Sequence, residues 1–176
     1  INYGYNDKYL ATVTLRADGS SKFAKGNRWG FFPAGALAWR ISNEDFLKDN
    51  QIVSNLKLRV SYGTSGNDRI DADLYQKLYR VNSSRPAGWG EVSHYYYEFY
   101  NSKYVYNPDV KWETTITRNI GFDFGFLNGK IDLTVDLYKK VTSNMLLFST
   151  GPALLGIGDA WNDLKAPIGN VGQMTN

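Results

Sequence analysis

Long stretches of strict apolar–polar alternation run through this chain and constrain its fold more than any other feature. Successive side chains of a strand point to opposite faces, so a period of two makes one face apolar and the other polar. Residues 55–63 split cleanly, with Leu56, Leu58, Val60 and Tyr62 against Lys57, Arg59, Ser61 and Gly63. Residues 115–126 set Ile116, Ile120, Phe122, Phe124 and Phe126 against Thr115, Thr117, Asn119, Gly121, Asp123 and Gly125. Residues 130–141 set Ile131, Leu133, Val135, Leu137 and Val141 against Asp132, Thr134, Asp136, Tyr138 and Lys140. Asn128-Gly129 joins the last two segments, and Asn-Gly is the favoured pair for a type I′ hairpin.

Residues 8–17 alternate in the same way, with Tyr9, Ala11, Val13, Leu15 and Ala17 on one face. Residues 29–41 are less regular: Trp29, Phe31, Leu37 and Trp39 share a face opposite Ala34, Ala36 and Ala38. Pro33 cannot donate to a ladder and predicts a bulge or a rim position there. Residues 1–5 read as the tail of one further strand and residues 170–176 as the start of another, so the chain reads as an excerpt of a larger sheet. Residues 43–54 predict a short helical turn with Ser42 as its cap and Asp45 imitating a capping box. Residues 67–111, rich in tyrosine, and residues 144–168 read as long connections.

Two architectures satisfy this pattern. In a soluble sandwich the apolar face meets a second sheet. In a membrane barrel it meets lipid, and the polar face lines a wet lumen. Spanning strands need about 9–11 residues, against about 5–6 for ordinary ones. The candidates here run from nine to thirteen residues. Trp29 and Trp39 lie roughly 33 Å apart along a strand, or roughly 25 Å of height at a tilt near 40°, which matches two aromatic girdles. Placing Asn128-Gly129 on the periplasmic side puts residues 18–28, 67–111 and 144–168 outside, the asymmetry of short inner turns and long outer loops. The fold expected is therefore all-β, part of a large antiparallel transmembrane β-barrel with long extracellular loops.

Composition narrows the function. With no Cys and one His, thiolate sites, multi-histidine metal sites and most nucleophilic catalysis are out of reach, so no enzyme, cofactor or metal is expected. A net charge of +3 without a clustered basic face argues against nucleic acid. Asp68, Asp71 and Asp73 lack the glycine and terminal glutamate of an EF-hand and read as a solvated loop. Gly156-Ile157-Gly158 has no phosphate-binding context.

Several segments together resemble the SusC/RagA family of TonB-dependent outer-membrane transporters. They include Asp7-Lys8-Tyr9-Leu10, Arg16-Ala17-Asp18-Gly19-Ser20-Ser21-Lys22-Phe23, Trp29-Gly30-Phe31-Phe32-Pro33 and Ala38-Trp39-Arg40-Ile41-Ser42. Glu44-Asp45-Phe46, Ser61-Tyr62-Gly63, Asn107-Pro108-Asp109, Lys111-Trp112-Glu113 and Asn170-Val171-Gly172 follow in family order. The resemblance implies a piece of the C-terminal barrel over residues 1–176, with the plug domain absent. It implies an outer-membrane importer of a Bacteroidota-type Gram-negative bacterium. The expected partners are a SusD-like surface lipoprotein, the TonB complex reached through the plug, outer-membrane lipid, and a glycan or peptide substrate.

Within that frame Trp89, His94, Tyr95, Tyr96 and Tyr97 are candidates for substrate or partner contact, because aromatic faces with polar tips suit either. The plainer reading is a hairpin that extends above the membrane and packs on itself. Lys57, Arg59, Asp123, Asp132 and Asp136 are expected to line the lumen, pairing across strands or with the plug. Arg118 stands on an otherwise apolar face and is expected near the outer rim. The rivals are a soluble carbohydrate-binding β-sandwich, with exposed aromatics holding the glycan, and a complete eight-stranded barrel serving adhesion or structure.

Overall fold

The computed structural model describes residues 1–47, 50, 52–72, 74–77, 79–89, 92–99, 105–148 and 167–176; within 79–89 and 92–99 it describes the backbone only. The strands are β1 (Asn2–Tyr5), β2 (Tyr9–Gly19), β3 (Trp29–Arg40), β4 (Val53–Asn67), β5 (Tyr79–Trp89), β6 (Val92–Phe99), β7 (Glu113–Phe126), β8 (Ile131–Phe148) and β9 (Ile168–Thr175). Seven of them form one sheet in the order β1-β2-β3-β4-β7-β8-β9, and β5 and β6 form a separate two-stranded sheet. Neighbouring strands are antiparallel throughout.

Register carries the sequence alternation into space. Ala11, Leu37, Val60, Ile120 and Leu137 lie opposite one another across five strands, and Trp39, Leu58, Phe122 and Val135 form the next such row. Much of this face stays uncovered among the described residues: Leu15 is 82% exposed, Leu37 64% and Leu137 64%. Water at such a face would cost about 25 cal/mol per Å² of apolar surface, and contiguous apolar patches on soluble proteins seldom exceed a few hundred Å². The sandwich rival requires a second sheet on this face, and among the described residues none covers it.

Among the described residues the buried apolar ones are few and lie together at one end: Phe23, Phe32, Leu74 and Val110. Among the described residues the sheet thus shows no hydrophobic core of its own, as expected of a wall whose apolar solvent is lipid.

The tight connections all lie at the opposite end. In the β1–β2 turn Asn6 and Asp7 adopt φ of 49° and 54°, and the Lys8 amide donates to the Tyr5 carbonyl at 2.9 Å. In the β7–β8 turn Asn128 and Gly129 adopt φ of 56° and 78°, the positive pair that a type I′ turn demands. The β3–β4 connection also lies here and begins with a single 3₁₀ turn, Ile41–Asn43. Residues 20–28 and 105–112 lie at the other end, where β8 ends and β9 begins.

Three expectations differ from the structure. The capping arrangement does not form: Ser42 sits inside the 3₁₀ turn, its hydroxyl donates to Asn43 Oδ1, and no side chain caps the turn. The stretch 67–111 holds the hairpin β5–β6 rather than loop alone. Of the two placements expected of Pro33, a bulge or a rim, it takes the second: the β2–β3 register runs unbroken through Leu15–Pro33, while β3–β4 pairing begins only at Ala34–Gly63. Pro33 therefore sits where the ladder toward β4 has ended, and its missing N–H costs no bond there. β8 also continues seven residues past the alternating stretch, to Phe148, with register shifts around Met145 and Asn144 at φ 57°.

Candidate functional site

The polar face carries one fixed charge cluster, built from three neighbouring strands. Arg59 of β4, Gly121 of β7 and Asp136 of β8 occupy one row, and Asp123 lies on the row below. The Arg59 guanidinium donates from Nε and Nη2 to the two Asp123 oxygens, both at 2.9 Å, and from Nη2 to Asp136 Oδ1 at 3.2 Å. Such a fork gives direction as well as attraction. Thr134 donates to Asp123, and Asn119 donates to Asp136, each at 3.2 Å.

Gly121 makes this crossing possible. A Cβ there would collide with the Asp136 carboxylate and approach the Arg59 guanidinium to 2.8 Å, so the side chain of Arg59 spans β7 only because β7 has none at that point. Gly121→Val should displace the guanidinium and destabilise the assembled barrel by about 1–3 kcal/mol, the ordinary cost of forced overpacking. Urea midpoints of the refolded full-length protein in vesicles would measure it, and an unchanged midpoint would count against this packing.

A second polar cluster closes the tight-turn end. The Glu44 carboxylate accepts from Trp39 Nε1 at 3.0 Å, Tyr9 OH at 2.8 Å and Lys8 Nζ at 3.0 Å. The Tyr9 and Trp39 rings stack 6.3 Å apart. Glu44 thereby latches the 3₁₀ connection to the β1–β2 turn, beside the Asn43 amide, which donates to the Asp7 carbonyl. These bonds from Trp39, Tyr9 and Lys8 favour the carboxylate and hold Glu44 at a pKa of about 2, below its ordinary 4.5. A depressed carboxylate adds stability that is full above its unfolded pKa and is lost as pH falls through the folded one. The stability gap between wild type and Glu44→Gln should thus be wide at pH 5 and close as the pH falls from 4.5 toward 2. Urea titrations of both proteins across that range would show it; a gap independent of pH would contradict the latch.

The loop end is held by apolar packing. Phe23, from the β2–β3 connection, packs on Trp112 with ring centroids 5.3 Å apart, and Phe32 meets the same indole edge-on at 5.5 Å. Trp112 Nε1 donates to the Arg28 carbonyl at 3.0 Å, and the Asn27 amide donates to the Val110 carbonyl at 3.3 Å. Phe32 lies over Gly30 and Gly66, where any Cβ would strike its ring. Asn107 donates to the Ile168 carbonyl, while Asn170 accepts from the Lys111 amide and donates to its carbonyl. Two connections and the start of β9 are thus clasped at one rim.

Sequence reasoning placed none of these clasp residues in a site. Their signal was present: Gly19 to Phe23, Asn107-Pro108-Asp109, Trp112 and Asn170 all belong to the segments that resembled a known family.

Of the residues singled out for the polar face, Arg59, Asp123 and Asp136 come together. Lys57 stands opposite Asp123, and Asp132 opposite Gly125, on the same face; among the described residues neither makes an ion pair. Trp89 lies on β5 and His94, Tyr95, Tyr96 and Tyr97 on β6, where Trp89 pairs with Val92 and Ala87 with His94. Arg118 is exposed on the apolar face. Asp68 accepts from Ser20 Oγ at 3.0 Å, and its carbonyl accepts from Lys22 Nζ at 3.1 Å; Asp73 and Gly156-Ile157-Gly158 fall outside the described residues. Among the described residues no three or more His, Cys, Asp or Glu side chains cluster as metal ligands.

With this geometry in hand, comparison with known proteins is specific. The chain is 39% identical over 187 residues to the TonB-dependent receptor SusC of Bacteroides thetaiotaomicron, across 100% of this chain and 17% of that protein. It is 33% identical over 177 residues to the TonB-dependent receptor P3 of Formosa agariphila, across 100% of this chain and 16% of that protein. Among solved structures it superposes on the RagAB peptide importer in its open-open state with a TM-score of 0.79 at 28% identity, over 99% of this chain and 17% of that one. The chain thus spans about one sixth of the length of these relatives. The family model described as "TonB dependent receptor-like, beta-barrel" matches residues 1–176. This chain belongs to the TonB-dependent receptor β-barrel family.

Proposed function

We propose that this chain forms one stretch of the wall of an outer-membrane importer that takes up glycans or peptides in a Bacteroidota-type Gram-negative bacterium. The observation that carries the reading is a seven-stranded sheet with an uncovered apolar face, in a chain 39% identical to SusC along its whole length. The apolar face meets lipid. The tight turns face the periplasm and the long connections the exterior.

Lys57, Arg59, Asp123, Asp132 and Asp136 line the lumen, where they keep the wall wet and fixed beside a plug and carry no chemistry. The hairpin β5–β6, with Trp89, His94, Tyr95, Tyr96 and Tyr97, meets substrate or a SusD-like lipoprotein on the outer side. TonB supplies energy through a plug encoded elsewhere in the protein. The choice between glycan and peptide leans on two neighbours, SusC by sequence and a RagAB peptide importer by structure.

Deleting the gene in the bacterium that encodes it should abolish protonophore-sensitive uptake of one labelled pool, oligosaccharide or peptide, and spare the other. Uptake of both pools at the parental rate would refute the transport reading.

A further inference from the structure

A groove of about 460 Å³ opens on the face assigned to lipid, across β1 to β4. Ala11 of β2 forms its floor, because the register sets this small residue between Tyr3 of β1 and Leu37 of β3. Val60 of β4 stands beyond Leu37, and Tyr9 and Trp39 close the end nearest the tight turns. Above Leu37 the next same-face residue of β3 is Gly35, which adds no side chain to close the other end. The volume lies within the range of sites that hold small apolar ligands.

The closed end is fixed before anything binds. The Tyr9 and Trp39 rings stack with centroids 6.3 Å apart and planes inclined by 12°. Each is also tied at its polar tip: Tyr9 OH and Trp39 Nε1 both donate to Glu44 Oε1, at 2.8 and 3.0 Å. Lys8 Nζ pairs with Glu44 at 3.0 Å and with Asp45 at 3.5 Å. Glu44 is not part of the lining, so these polar groups are engaged outside the groove.

A polar cluster at the turns with an apolar channel above it matches a phospholipid of the inner leaflet, headgroup at the turns and tail toward the middle of the membrane. The hydrophobic effect does not favour the groove over bulk lipid, since both are apolar. Preference comes from contact on several sides of one chain, with walls that lose no freedom when it arrives. Farther along the same row, Ile120 and Leu137 offer a tail one side only.

We propose that this groove holds one acyl chain of an inner-leaflet phospholipid, with Glu44 as the positioning residue that fixes its aromatic end. The site rests on the membrane reading above.

The test counts phosphatidylethanolamine retained by the full-length transporter in mild detergent, by native mass spectrometry. Wild type should retain the lipid, and Ala11→Phe, which fills the floor, should bind it about tenfold more weakly. Leu137→Phe, on the same row but outside the groove, should bind as wild type does. Glu44→Ala frees both rings and should weaken binding several-fold. Glu44→Gln should not, because its amide oxygen still accepts from Tyr9 and Trp39. Millimolar glycerophosphoethanolamine, the same headgroup without chains, should not displace the lipid. Equal retention by wild type and Ala11→Phe would overturn the site, as would an equal loss in Leu137→Phe. Equal retention by Glu44→Ala and Glu44→Gln would overturn the role of Glu44. Displacement by the chainless headgroup would overturn the assignment to a tail. Loss of a dimer rather than of lipid in Ala11→Phe would give the groove to a second copy and overturn the proposal. Should Ala11→Phe not assemble, the Glu44 pair decides the site on its own. Heat-modifiable gel mobility separates the two levels: an assembled barrel with indifferent lipid binding refutes only the site. A wild-type protein that never assembles as a barrel refutes the membrane reading with it.

Discussion

Val135→Lys should destabilise the assembled barrel by about 2–4 kcal/mol, the range for a lysine at the bilayer midplane, and should lower its yield in the outer membrane. Val135 is 39% exposed on the apolar face of β8, opposite Phe122. On the same face Ile131 and Leu133 lie on one side of it and Leu137 on the other, so a lysine there is flanked by apolar side chains. Thr134→Lys, one residue earlier, should cost far less. Thr134 faces the polar side opposite Asp123, and a lysine there gains a carboxylate neighbour in exchange for one hydroxyl bond. Heat-modifiable mobility and urea midpoints of the two full-length variants make the comparison. Equal losses would mean that the two faces have been assigned wrongly.

Phe23→Ala should remove about 3–5 kcal/mol from the rim clasp, the usual cost of deleting a buried phenyl group. The ring is wholly buried and packs on Trp112, whose indole also holds Phe32 and the Arg28 carbonyl. The loss should be local. The seven-stranded ladder does not depend on Phe23, so the protein should still assemble while its outer connections become open to protease. Phe23→Leu, which keeps most of the volume, should cost less than about 1.5 kcal/mol and leave the connections protected. Protease resistance of Phe23→Ala equal to wild type would show that the two connections are held by something else.

Legibility in the sequence followed physical range. The five long strands were readable because register is fixed by a pattern of period two, and a slip of one residue would turn Leu133, Val135 and Leu137 into the lumen. The Asn128-Gly129 turn was readable because few dipeptides tolerate two positive φ values in succession. β1 and β9 showed as fragments at either end of the chain. The hairpin β5–β6 was hidden because its tyrosine-rich sequence alternates poorly. The upper part of β8 was hidden because the bulge near Asn144 breaks the period.

The polar cluster was half legible. Arg59, Asp123 and Asp136 could be placed on one face, but nothing in their spacing tells that Arg59 reaches across a glycine to join both acids. The Glu44 latch was obscured by an apparent capping box at Ser42, a local signal outcompeted by hydrogen bonds from Trp39, Tyr9 and Lys8. The rim clasp depends on contacts between residues 23, 32 and 112, a range at which single-sequence patterns are silent.

The most direct test is a cysteine scan of residues 132–137 in the full-length protein in its native membrane. Each cysteine would carry a fluorophore and be exposed in turn to a nitroxide-bearing lipid and to an aqueous quencher. Lipid quenching should peak at 133, 135 and 137, and aqueous quenching at 132, 134 and 136. A profile without alternation, or with the opposite phase, would contradict a wall with lipid on one side and a wet lumen on the other.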